Sequence, residues 1–123
     1  MRSIIKYPVF IVLILGLFCA SAHAEDFELL DSDFEFAPIS ADVVGDFNDW
    51  TTGTHVMNST ANGFSLSIPL SDGQYAYKFF VTFEDGAQTL VLDPASSLFM
   101  ADDQGGVSSL LALQAGVRVI PDG

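Results

Sequence analysis

The 123-residue chain carries 16 acidic side chains against four Lys and Arg, a formal charge of −12, and half of its residues are apolar. Such an acidic chain repels phosphate backbones and anionic headgroups, which excludes a nucleic-acid binder, and its length is too short for a Rossmann or barrel enzyme. The apolar half excludes a wholly disordered acidic tail.

Arg2 and Lys6 precede an unbroken apolar run from Val9 to Ala20, and Ala22-His23-Ala24 then gives a small-x-small pattern. That order predicts a signal peptide over 1–24, cleaved after Ala24, with export to a periplasmic or secreted location. The run falls short of the roughly 20 residues needed to span a bilayer, so no membrane association is expected after cleavage. Cys19 lies within this segment, which leaves a cysteine-free remainder with no disulfide. That remainder holds all 16 acids and only Lys78 and Arg118 as cations, a charge of −14.

Residues 25–37 open as EDFELLDSDFEF, six acids in twelve. We read them as an acidic leader ending in an edge strand where Asp33 to Phe36 alternate. From 38 to 115, turn residues punctuate short runs. Ala41–Val44 leads into GDFNDW (Gly45–Trp50). Phe64–Ile68 alternates between Asn62-Gly63 and Ser71-Asp72-Gly73. Tyr75–Phe83 is aromatic and β-branched, Thr89–Leu92 stops at Asp93-Pro94, and Val107–Leu113 follows Gly105-Gly106. Short strands joined by turn chemistry, without a sustained helical period, predict an all-β sandwich of about seven strands. Residues 116–123 read as a C-terminal tail. On Tyr75–Phe83 the two-residue period places Tyr75, Tyr77, Phe79, Val81 and Phe83 on the core face, and Ala76, Lys78, Phe80 and Thr82 outside.

Four segments, GDFNDW (Gly45–Trp50), Asn62–Val81, Leu90–Pro94 and Asp102–Leu113, resemble in order and spacing the glycogen-binding module of AMP-activated protein kinase β subunits. That family is number 48 of the carbohydrate-binding modules and includes the N-terminal domains of isoamylases and branching enzymes. The resemblance implies an immunoglobulin-like (early-set) sandwich that binds α-1,4-glucan without catalysis. In the family's pattern two tryptophans form a platform beside a lysine and an asparagine, with a leucine wedge and a threonine nearby. Trp50 falls on the first tryptophan and Lys78 on the lysine. The second tryptophan position is Leu90, the asparagine Ser108, the threonine Gly106 and the leucine wedge Gln104. A glucose ring offers one apolar CH face and a rim of hydroxyls, which an aromatic ring and charged donors match.

The glycan contacts expected are therefore Trp50, Lys78, Leu90 and Ser108. The alternative is a protein-interaction or structural sandwich that has lost glycan affinity, since half of the stacking platform is missing. A separate glucan-processing enzyme or another exported protein is the partner expected beside the glucan. Asp46, Asn48 and Asp49 read as turn residues that bond nearby backbone. His55 is the one histidine beyond the leading segment, too few for a multi-histidine zinc site and without a nucleophile motif to serve. No catalytic residue, metal or cofactor is expected.

Overall fold

A computed structural model describes residues 22–101 and 106–121. The signal peptide expected over 1–24 lies outside this range for residues 1–21, as does Gln104. Two antiparallel sheets face each other. In one, β1 (His23–Leu30) pairs with β4 (Gly63–Leu70), and β4 with β3 (Asn58–Thr60). In the other, β2 (Ser40–Gly45), β5 (Gly73–Thr82), β8 (Val107–Gln114) and β7 (Phe99–Ala101) lie in that order. There β6 (Gln88–Val91) also pairs with β5, and β9 (Val117–Arg118) with β8. The all-β sandwich is as expected, although nine strands stand among the described residues where the sequence reads as about seven. β3, β7 and β9 have two or three residues each, too few for an alternation to register.

The core fills from both sheets by the two-residue period. Phe27 and Leu29 on β1, Phe64, Ile68 and Leu70 on β4, and Tyr77, Phe79 and Val81 on β5 are all buried. The Phe27 ring meets Tyr77 edge-on at 5.2 Å between centroids, and Tyr77 meets Phe79 at 6.0 Å. Burial of each large apolar side chain contributes roughly 1.5–3 kcal/mol, so these rings hold together a small domain with no disulfide.

Both ends of the sandwich differ from the sequence reading. The N-terminal strand is His23–Leu30, not Asp33–Phe36, which instead closes a 3-10 turn and bends away. In Glu25–Leu30 the inward positions are Glu25, Phe27 and Leu29, paired in register with Ile68, Leu66 and Phe64. The strand's first two residues, His23 and Ala24, pair with Leu70 and Pro69 and so precede the expected cleavage point. The expected tail from 116 contains β9, and Arg118 on it fastens one sheet to the other. Its Nε donates to Glu25 Oε1 at 2.8 Å, its Nη2 donates to the Asp26 carbonyl at 2.7 Å, and the guanidinium lies 5.9 Å from the Phe27 ring. This pairing explains an acid on the inward face of β1: Glu25 is buried with a cation beside it.

The Asp93-Pro94 step closes β6 by linking three strands. Tyr77 Oη on β5 donates to Asp93 Oδ2 at 2.5 Å, and the Asp93 N–H donates to Ser109 Oγ on β8 at 2.9 Å. The other carboxylate oxygen accepts the Ala95 N–H at 2.9 Å. Each polar atom of this buried group thus has a partner, as burial requires.

Candidate functional site

The segment GDFNDW forms a turn in which Gly45, Asp46, Phe47, Asn48 and Trp50 each make a defined contact. Gly45 ends β2 with extended backbone, packed so closely on β5 that a Cβ there would lie 2.5 Å from the Ala76 carbonyl and 2.8 Å from Tyr77 Cβ. Asp46–Asn48 make one 3-10 turn. Phe47 reaches inward, 5.9 Å from the rings of both Phe27 and Tyr75. Asn48 turns back onto β2: its Oδ1 accepts the Gly45 N–H at 3.0 Å, and its Nδ2 donates to the Val43 carbonyl at 2.9 Å. The chain then turns sharply through Asp49 and Trp50, at φ 55° and 58°, the left-handed region that non-glycine side chains avoid at a cost of roughly 1–2 kcal/mol each. The Trp50 N–H closes the turn on the Gly45 carbonyl at 3.0 Å.

The strained geometry leaves the Trp50 indole half-buried, with its edge fixed. Trp50 Nε1 donates to Asp46 Oδ1 at 3.2 Å, while Asp46 Oδ2 accepts the Ala76 N–H of β5 at 2.8 Å. One carboxylate therefore ties the indole to β5. Lys78 lies two residues further along that strand, on the same face as Ala76, opposite Val44 of β2. The alternation expected for β5 holds at Tyr77, Phe79 and Val81, which are buried, and at Lys78 and Phe80, which are half-buried on the outer face, whereas Ala76, expected outside, is buried as well. Leu90 on β6 stands directly across from Phe80 and is 48% exposed. Lys78, Phe80 and Leu90 thus share the outer face of the six-stranded sheet, and Trp50 is tied to the same strand, β5, through Asp46 at Ala76.

Ser108 differs from its expectation as a glycan contact. It sits on β8 opposite Met100 and is fully buried, so its hydroxyl does not meet solvent. Three residues of the site were not read from the sequence as such. In the sequence Asp46 reads only as a turn former, and the fold makes it the link between indole and strand. The sequence presents His55 only as a lone candidate for metal binding or catalysis, and in the structure its Nδ1 lies 2.9 Å from Asn48 Nδ2. Phe80 was assigned to the outer face by the same alternation as Lys78, and that was the signal for it.

A groove of about 780 Å³ lies elsewhere, lined by residues that include Asp26, Glu28, Ser67 and Arg118, and it shares none with the Trp50 surface. A ring that stacks on one sugar face needs a flat, accessible aromatic more than a concavity.

The family model for carbohydrate-binding module 48, the isoamylase N-terminal domain, matches residues 34–96, which is 63 of the 123 residues. The match runs from the end of the first 3-10 turn through the Asp93 junction, and includes Trp50, Lys78 and Leu90. The chain is 38% identical over 60 residues to the 1,4-alpha-glucan branching enzyme GlgB of Marinobacter nauticus, covering 46% of this chain and 9% of that enzyme. It is 41% identical over 63 residues to the enzyme of the same name from Butyrivibrio fibrisolvens, covering 48% of this chain and 10% of that enzyme. The likeness therefore spans about a tenth of each of these relatives.

Proposed function

We propose that this chain, which belongs to the carbohydrate-binding module 48 family, binds α-1,4-linked glucan without catalysis on the outer face of β5. Trp50 supplies the stacking surface, Lys78 the donor to sugar hydroxyls, and Leu90 an apolar rim. The observation that carries this reading is the Trp50 turn. Two successive left-handed residues and a carboxylate bridge to Ala76 hold an indole against β5, the strand that carries Lys78, and backbone strain of this kind persists only where the surroundings impose it. The relatives named as α-glucan branching enzymes agree with this substrate class.

A second reading is favoured by one observation. Where the family's pattern has its second tryptophan, this chain presents an exposed Leu90 across from Phe80, a surface suited to another protein as well as to a sugar. On that reading the sandwich is an interaction module that has lost glycan affinity, docking on a glucan-processing enzyme or another exported protein.

Affinity electrophoresis in gels cast with glycogen or amylose separates the two. The glucan reading expects retardation of the wild type and its loss in Trp50→Ala at an unchanged melting temperature. Migration of the wild type unaffected by any α-glucan overturns it in favour of the interaction module. Export is part of the same proposal, supported by the basic, apolar and small-residue order of Met1–Ala24. Its check is N-terminal sequencing of protein recovered outside the cytoplasm, which should begin at Glu25, and an intact Met1 there would refute cleavage.

A further inference from the structure

The orientation of the Asn48 amide is forced by the backbone around it. Oδ1 faces the Gly45 N–H and Nδ2 faces the Val43 carbonyl, so a reversed amide would set donor against donor and acceptor against acceptor. The same Nδ2 lies 2.9 Å from His55 Nδ1. An amide nitrogen offers only hydrogens, so Nδ1 is the acceptor and the neutral ring carries its proton on Nε2. A proton added at Nδ1 would point N–H at N–H and end the bond.

This contact secures the turn that carries Trp50. Asn48 immediately precedes the two left-handed residues. His55 also stands edge-on to Phe47 at 5.8 Å, and its carbonyl accepts the Val43 N–H at 2.9 Å. The ring is half-buried and so within reach of solvent protons. The charged groups on the elements around it are Asp42 of β2 and Asp46 and Asp49 of the turn. Asp42 Oδ2 accepts the Gly53 N–H, and Asp46 is occupied by Trp50 and Ala76. Among the described residues, no hydrogen bond joins any of these carboxylates to the ring.

We propose that His55 is a proton-operated latch on the Trp50 turn. With the ring neutral, Asn48 is held between Val43 and His55, and the indole is kept beside β5. With the ring protonated, the Asn48–His55 bond is lost and the strained turn relaxes. The consequence for affinity, weaker glucan binding in acid, rests on the function proposed above, whereas the latch itself does not.

Trp50 is the sole tryptophan of the chain, so intrinsic fluorescence reads the turn directly. The full chain is titrated from about pH 8 to pH 5, where histidine changes charge, with far-UV circular dichroism followed alongside. The wild type should show a one-proton change in emission at constant dichroism, and roughly threefold weaker retention by glycogen at the acid end. His55→Asn sets an amide oxygen close to the place of Nδ1 and cannot titrate, so its emission and retention should stay level. His23, which the full chain retains ahead of the proposed cleavage point, is present in both proteins and controls for the other imidazole. A level emission in the wild type, the same transition in His55→Asn, or a transition that follows loss of dichroism overturns the latch. A transition confined to the wild type, with no glycogen retention at any pH, supports the latch and overturns the glucan reading alone.

Discussion

The indole N–H of Trp50 donates to Asp46 at 3.2 Å, and the second oxygen of that carboxylate accepts the Ala76 N–H at 2.8 Å. A residue four positions upstream thus decides where the ring points, by using both of its oxygens at once. Asp46→Ala should weaken glucan retention although Asp46 is not proposed to touch the sugar. It leaves a part-buried Ala76 N–H without its acceptor, at a cost of about 1–3 kcal/mol. The paired measurement is melting temperature and gel retardation, with Asp46→Asn keeping one acceptor and recovering part of both. Unchanged retardation in Asp46→Ala would show that the ring does not need the bridge.

Leu90 is exposed and lies across from Phe80 on the same surface as Lys78, so a larger side chain there meets solvent rather than core. Leu90→Trp should restore a second stacking ring and strengthen retention by roughly two- to tenfold, as an aromatic contact worth on the order of 0.5–1.5 kcal/mol implies. Isothermal calorimetry with a long maltooligosaccharide measures it. An unaltered affinity would mean that the glucan does not extend over β6.

Tyr77 is a buried acid whose pKa is pushed well above the usual tyrosine range, first by burial and then by its hydrogen bond to Asp93 and that residue's charge. In the unfolded chain the phenol ionises near pH 10, while in the folded protein it keeps its proton. The stabilisation is therefore fully present below about pH 10 and falls above it, by about 1.4 kcal/mol per pH unit. Denaturant unfolding of the wild type and Tyr77→Phe between pH 8 and pH 11 should show this slope only in the former. At neutral pH the variant should lose about 1–3 kcal/mol, because the Asp93 carboxylate is left short of a partner. Parallel slopes in the two proteins would refute the assignment.

Much of the fold is legible in the chain because a two-residue period is a local property. The runs at Ala41, Phe64, Tyr75, Thr89 and Val107 became β2, β4, β5, β6 and β8 within a few residues. That period alone assigns Lys78 to the outer face of β5. The first strand is hidden in the sequence for a physical reason. Glu25 and Asp26 look like solvated charge until Arg118, more than ninety residues away, engages Glu25 and the Asp26 carbonyl. Asp33–Phe36 alternates as well as β1 does, and alternation does not say whether a partner strand is there.

The sequence by itself determined an all-β sandwich, an outward Lys78, and the turn chemistry of Gly45–Trp50, since each depends on near neighbours in the chain. Tertiary structure alone decided that Ser108 is buried, that Asp46 bridges the indole to β5, and that His55 faces Asn48. Those are contacts across strands and loops. Burial and hydrogen-bond partnership are set by what packs against a residue, and composition and spacing carry no record of that.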